Sequence, residues 1–220
     1  AALGDWMHRR GHRQALVLAT KGGSATGPHA TDRGLSRRHL MEAVEDSLRR
    51  LRTDWIDLYQ THWPDADTPE DETMATLDTM VRHGKVRYVG CSNFPAWRLA
   101  HAQGISARLR LTSYVSLQPH YSLLARSGFE RELAAATAAL DVAVMPYRPL
   151  ARGILTGRFH GQQIPAQRWS SGHDGYDIDP TRAAALVIEL GKISSRDRRT
   201  PAQVALAWLR AKPGITSPVV

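Results

Sequence analysis

With 220 residues, 42% of them hydrophobic, and a formal net charge of +8, the chain can bury one core and is expected to fold as a single domain over residues 1–220. Its one cysteine, Cys91, excludes an internal disulfide framework and fits a reducing, cytoplasmic setting, with the thiol expected as a small buried strand residue. No apolar run reaches the roughly 18 residues of a membrane-spanning helix, and the positive charge is dispersed over arginines such as Arg37/Arg38, Arg49/Arg50 and Arg198/Arg199 without a nucleic-acid-binding motif, so it suits an anionic small molecule better than nucleic acid.

In chain order, the pattern alternates helix and strand. An amphipathic start over residues 2–10 leads into a strand-like run, Leu16 to Lys21. The N-terminus carries neither a signal-peptide pattern nor an initiator methionine, so its first residues are not taken to be the gene's first. Ser36 is placed to cap a helix whose Leu40, Val44, Leu48 and Leu51 share one face. The next strand runs from Trp55 to His62. Thr68-Pro69-Glu70-Asp71-Glu72 then predicts a helix with Thr68 as cap, Pro69 in the first position, and Met74, Leu77 and Val81 facing inward as far as Gly84.

Val86–Cys91 reads as the third strand and is followed by a helix over about 96–103. Ser113–Gln118 is the fourth strand, 129–140 an Ala-rich helix, and Val142–Tyr147 the fifth strand. Residues 156–180 are rich in Gly, Ser and Pro, as in a functional loop or lid. Helices over about 181–194 and 201–211 follow, the second opened by the capping box Thr200-Pro201-Ala202-Gln203, and 215–220 reads as a sixth strand. Strands separated by helices imply a parallel sheet in an α/β protein. An open flavodoxin-like sheet would want a Gly-rich phosphate turn, and neither G-x-G-x-x-G nor G-x-x-x-x-G-K-[ST] occurs.

The chemistry sits at strand ends. Lys21 closes the first strand and His62 the second, while Ser92-Asn93, Gln118 and Tyr147 close the next three. Polar groups gathered at successive strand C-termini are how a βα barrel builds an active site. Taken singly, a strand-end lysine is an ordinary solvated charge and a strand-end histidine an ordinary structural group; together on neighbouring strands they suit acid–base work on a carbonyl. The carboxamides of Asn93 and Gln118 suit a carboxamide ligand. Tyr147 is an aromatic able to stack on a flat ring, and Tyr147-Arg148-Pro149-Leu150-Ala151-Arg152-Gly153 combines cations with a rigid turn. His62-Trp63-Pro64-Asp65 lacks a second ligand at metal-binding spacing, and there is no G-x-S-x-G elbow for a serine hydrolase.

At these residues the chain resembles the aldo-keto reductase family. The matching segments are Leu18–Lys21, Asp57–Asp65, Val89–Phe94, Gln118–Arg126 and Pro146–Gly157, in family order and spacing. The resemblance implies a (β/α)8 TIM-type barrel that binds NADP(H) and reduces an aldehyde or ketone to an alcohol. In that family a tyrosine protonates the carbonyl oxygen, its pKa lowered by a lysine paired to an aspartate, and a histidine orients the carbonyl. Lys21 and His62 match the lysine and histidine. Ser92, Asn93 and Gln118 match the groups that hold the nicotinamide carboxamide, and Tyr147 the aromatic stacked on its ring. Arg148, Pro149, Leu150 and Arg152 match the pyrophosphate segment, Arg158 and Arg168 add charge to it, and Trp63 is placed to line the substrate pocket.

Two departures accompany the match. No D-T-A-x-x-Y-G-like motif bearing the family's Asp and Tyr occurs in the sequence, and Arg148 stands where serine is usual after the stacking aromatic. The family's first two strands and its C-terminal segment are therefore expected to lie outside these 220 residues. The alternative implied by the same resemblance is a cofactor-binding regulatory subunit, or an inactive relative, on the same fold.

Overall fold

The computed structural model describes residues 2–159, 164–165 and 179–220, which divide into two compact units: Ala1–Leu117 with Leu140–Val142, and Gln118–Ala139 with Ala143–Val220. The first begins with helix α1 (Ala2–Arg10) and alternates β1 (Ala19–Gly22), α2 (Arg37–Leu51), β2 (Ile56–Thr61), α3 (Glu70–Arg82), β3 (Val86–Ser92), α4 (Ala96–Leu109) and β4 (Tyr114–Gln118). The strands are parallel: β1 pairs with β2 through Lys21 opposite Gln60, and β2 with β3 through Gln60 opposite Gly90. All six residues of β2 are buried, as a parallel strand covered on both faces requires. Helices α2, α3 and α4 pack in succession, and Leu40, Val44, Ile56, Tyr59, Met74, Leu77, Val89 and Leu99 make the apolar interior. Cys91 is fully buried in β3, as expected for a small core residue.

Local chemistry explains most element boundaries. The Ser36 side chain accepts from the His39 N–H and starts α2, a cap of about 1 kcal/mol. Thr68, expected to cap α3, does not; Pro69 occupies the cap position. The Thr68 hydroxyl instead donates to Asp65 Oδ2 at 2.7 Å, because that carboxylate also collects the N–H groups of Leu35 and Asp67 and organises the loop. Met80, with Met74 and Leu77, is fully buried, whereas Val81 is only half-buried. Helix α4 runs six residues beyond its expected end, past Gly104, because Ile105 continues its apolar face. Arg98 on α4 pairs with Glu70 at 2.7 Å, both largely buried, which fixes the start of α4 against the start of α3.

The N-terminal end of β2 carries a closed charge network. Asp57 accepts from Leu18 N at 2.9 Å and Trp55 Nε1 at 3.2 Å, and pairs with Arg13 at 2.7 Å. The Arg13 and Arg87 guanidinium groups lie 4.3 and 4.9 Å from the Trp55 ring centroid.

In the second unit, helices α5 (Ser127–Glu130) and α6 (Leu133–Ala139) replace the single Ala-rich helix expected over 129–140. Strand β5 covers only Ala143–Val144, shorter than the expected 142–147. Pro146 has no N–H to continue a ladder, so pairing resumes only as isolated bridges, Tyr147 with His120 and with Val219. The expected sixth strand is likewise reduced to the bridges made by Ile215 and Val219. Helix α7 (Pro180–Arg196) is capped by Asp179, and α8 (Pro201–Arg210) by the expected Thr200/Gln203 box. Leu124, Ile154, Leu155, Val187 and Leu190 form this unit's core. Most of the expected loop over 156–180, Arg168 included, lies outside the described residues.

The Asp57 network generates a pH-dependent stability. Burial pushes this carboxyl up, but the Leu18 N–H, the Arg13 guanidinium and the Trp55 indole together outweigh it and hold it below its ordinary 3.8. Its folded-state value is thus lower than its unfolded one, so the stabilisation is present above 3.8 and lost as pH falls through the folded value. Asp57→Asn is expected to destabilise by about 1–3 kcal/mol at neutral pH, since it removes the charge partner of a partly buried Arg13 that keeps its bonds to Thr53, Leu16 and Trp55. The gap between the urea midpoints of variant and parent should close progressively below pH 3.8.

Candidate active site

In the first unit, the register of three parallel strands gathers polar groups at one end. Lys21 lies in β1, and the His62 N–H donates to the Gly22 carbonyl at 2.9 Å, which extends the β1–β2 pairing by one residue and sets the imidazole beyond the last strand residue. Ser92 ends β3, buried, and Asn93 follows with φ 61°, in the left-handed region that asparagine tolerates. This turn carries the Asn93 amide back across the sheet end, where Nδ2 donates to the His62 carbonyl at 3.0 Å and to Ser92 Oγ at 3.1 Å. Trp63 is exposed, and its ring stacks on the His62 imidazole with centroids 5.6 Å apart and 26° between planes.

The loop after β1 completes the surround. Ser24 Oγ lies 2.9 Å from His62 Nδ1, and His39 Nε2 lies 3.2 Å from the Ser24 carbonyl oxygen. Burial lowers the pKa of the Lys21 ammonium from its ordinary 10.5. Burial, and then the positive charge of Lys21, lower that of His62 below 6.5, so the imidazole is neutral at pH 7. A neutral imidazole beside an ammonium presents one N–H donor and one positive charge to a ligand: a hydrogen bond and a field suited to a carbonyl oxygen gaining negative charge.

The second unit holds the other residues singled out from the sequence. Gln118 is buried at the end of β4. Tyr147 N donates to the Pro119 carbonyl at 3.0 Å, and its ring stacks on His120 with centroids 5.2 Å apart and planes 15° from parallel. Burial, then the charges of Arg148 and Arg152, push the His120 pKa down to about 4. The Arg148 guanidinium lies 5.7 Å from the Tyr147 centroid. On both sides of Pro149, which is buried, the backbone turns tightly: Arg148, Ala151, Arg152 and Gly153 all have φ between 47° and 88°. Ala151 N donates to the Arg148 carbonyl at 2.9 Å and Gly153 N to that of Leu150 at 2.9 Å. Arg158 is exposed, its N–H donating to Thr156 Oγ1 at 3.3 Å.

The structure therefore brings Lys21, His62, Trp63, Ser92 and Asn93 together in one unit, and groups Tyr147, Arg148 and Arg152 around His120 in the other. Ser24, His39 and His120 are site residues that sequence reasoning passed over. The signal for Ser24 was present in Gly22-Gly23-Ser24, a turn directly after the lysine. His39 and His120 lie inside a helix pattern and a Pro-containing segment, and only tertiary contact gives them a role.

The profile of the Aldo/keto reductase family matches residues 1–220. The "Uncharacterized oxidoreductase YrpG" of Bacillus subtilis (strain 168) is 35% identical over 226 residues, spanning 99% of this chain and 67% of that protein. "Protein tas" of Escherichia coli (strain K12) is 32% identical over 243 residues, spanning 98% and 68%. The "Probable voltage-gated potassium channel subunit beta" of Oryza sativa subsp. japonica is 32% identical over 225 residues, spanning 98% and 67%. With the match running from the first residue to the last, the chain belongs to the aldo/keto reductase family.

Proposed function

We propose that the protein reduces a small aldehyde or ketone to its alcohol with NADP(H), and that Lys21 and His62 carry its part of the chemistry. The observation that supports this most is the pairing of a half-buried ammonium with a neutral imidazole at the same end of two hydrogen-bonded parallel strands. The residues present fit a nicotinamide dinucleotide. In the first unit Ser92 offers a hydroxyl and Asn93 a carboxamide of the kinds that hold a nicotinamide carboxamide; in the second, taken by itself, Gln118 offers a carboxamide, Tyr147 a flat face, and Arg148 and Arg152 in a tight turn with Pro149 and Leu150 suit a diphosphate. Arg158 adds positive charge further along the same segment. The preference for the 2′-phosphorylated cofactor rests on the resemblance alone.

When bound, the nicotinamide supplies the hydride. His62 donates an imidazole N–H to the carbonyl oxygen and fixes its direction. Lys21 provides the positive field that favours loss of the proton from the phenolic acid of this family's chemistry, and offsets negative charge growing on the oxygen. Trp63, exposed and stacked on His62, gives the apolar wall against which a substrate side chain rests. A cytoplasmic setting belongs to the same reading, in keeping with a single, buried cysteine.

Turnover tests the roles. NADPH oxidation with a simple aldehyde is expected to lose at least about a hundred-fold in kcat in Lys21→Met and in His62→Ala, while NADPH still quenches tryptophan fluorescence in both. Normal turnover in both variants would remove these roles. A second reading, a cofactor-binding regulatory subunit, draws on the likeness to the rice protein; NADPH binding without reduction of any aldehyde or ketone would select it.

The electrostatics give a separate expectation. An adjacent positive charge makes the imidazolium costlier, so removing it must raise the histidine's pKa. An NMR titration should place His62 below 6.5, with the midpoint moving upward in Lys21→Met. A downward move would contradict the coupling.

A further inference from the structure

The turn after β1 is tied down at three successive carbonyls. Gly22 O accepts from His62 N at 2.9 Å and Gly23 O from Gly34 N at 3.0 Å, and Ser24 O lies 3.2 Å from His39 Nε2. His39 is 1% exposed on α2, so this last tether comes from the core side of a helix and not from a mobile surface group. Gly23 makes the turn possible: its φ is 103°, and a Cβ there would lie 2.8 Å from the Leu35 side chain. An otherwise exposed serine is thereby presented with its Oγ 2.9 Å from His62 Nδ1.

The consequence lies at the other ring nitrogen. A neutral imidazole carries a single N–H, on Nδ1 or on Nε2, and the partner of one nitrogen decides the state of the other. A serine hydroxyl can donate or accept, so the contact alone allows both tautomers. Only the one with hydrogen on Nε2 leaves a donor available to a carbonyl oxygen. We propose that Ser24 is a positioning residue, its hydroxyl donating to His62 Nδ1 and holding the proton on Nε2, and that His39 acts through Ser24 by fixing its backbone. The proposal deepens the carbonyl-reductase reading of His62 and rests on it. No bond is made or broken at Ser24; the serine sets which face of the histidine is the donor.

The remaining contacts around His62 leave this task to Ser24. The His62 N–H and carbonyl are engaged by Gly22 and Asn93, which fix the backbone. Trp63 stacks on the ring face, which restrains tilt and does not discriminate between ring nitrogens. Lys21 acts on the charge state of the ring and not on its tautomer.

The test is nitrogen-15 NMR of the imidazole in the intact chain, with His62 assigned by its absence in His62→Ala. The parent protein and Ser24→Thr, which keeps a hydroxyl, are expected to show the Nε2–H tautomer. Ser24→Ala, at an exposed position, is expected to show a mixture of both. In the same variants kcat for aldehyde reduction should fall about two- to ten-fold for Ser24→Ala with KM for NADPH unchanged, and recover in Ser24→Thr. An Nδ1–H tautomer in the parent, or a tautomer ratio that Ser24→Ala leaves untouched, overturns the proposal. The tautomer is read without turnover, so a protein that reduces no carbonyl would refute the function proposed above while the spectrum still decides what Ser24 does.

Discussion

The gathering of Lys21, His62, Ser92 and Asn93 in the first unit depends on the parallel register of β1, β2 and β3. Lys21 opposite Gln60, and Gln60 opposite Gly90, align the C-terminal ends of three strands to within a residue. In a parallel sheet covered on both faces, side chains along the strands are committed to packing, and β2 shows this by burying all six residues. Polar groups intended for a ligand are tolerated where the ladder runs out. His62 is the first residue past β2, and its N–H still reaches the Gly22 carbonyl, so it is both outside the packed strand and rigidly attached to it.

The two ends of these strands are built on opposite principles. At the N-terminal end of β2, Asp57 is satisfied by a backbone N–H, an indole and a guanidinium, and the arginines also lie over Trp55, so charge and hydrogen bonding are closed on themselves. At the C-terminal end, Lys21 and His62 are two basic groups near one another, both with pKa values lowered by burial. The first arrangement gives stability that an acid titration erodes. The second holds an imidazole neutral and a cation partly desolvated, which is a poor way to stabilise a fold and a good way to meet an oxygen that acquires negative charge.

The sequence made the strand ends legible because β-branched and aromatic runs stop at them and the terminal residues are polar. It placed Lys21, His62, Ser92 and Gln118 at or next to strand ends, where the structure has them, and the barrel read from it is the architecture of the family to which the chain belongs. It also anticipated the Ser36 and Thr200 caps, because capping is decided within four residues. It misassigned the Thr68 cap because the competing acceptor, Asp65, depends on how its loop folds back on Leu35. It overextended the strand at 142–147, where Pro146 interrupts the donors. The roles of Ser24, His39 and His120 were hidden for a common reason: each depends on a partner brought close by the fold, and neither spacing nor composition carries that contact.

The formal charge of +8 acquires a local meaning here. His62 has Lys21 beside it, and His120 has Arg148 and Arg152; in both cases burial acts first and the neighbouring cation adds to it. Positive charge near a partly buried histidine raises the cost of protonating it, so both rings stay neutral at pH 7. For His120 that neutrality permits a flat stack against Tyr147 with arginine charge close by, since an imidazolium there would be repelled by both guanidinium groups. For His62 neutrality makes the tautomer matter, because a doubly protonated ring would donate from both nitrogens whatever Ser24 did. Burial and the Lys21 charge, which keep this ring neutral, thus turn the Ser24 hydroxyl from an incidental contact into one that decides where the proton sits.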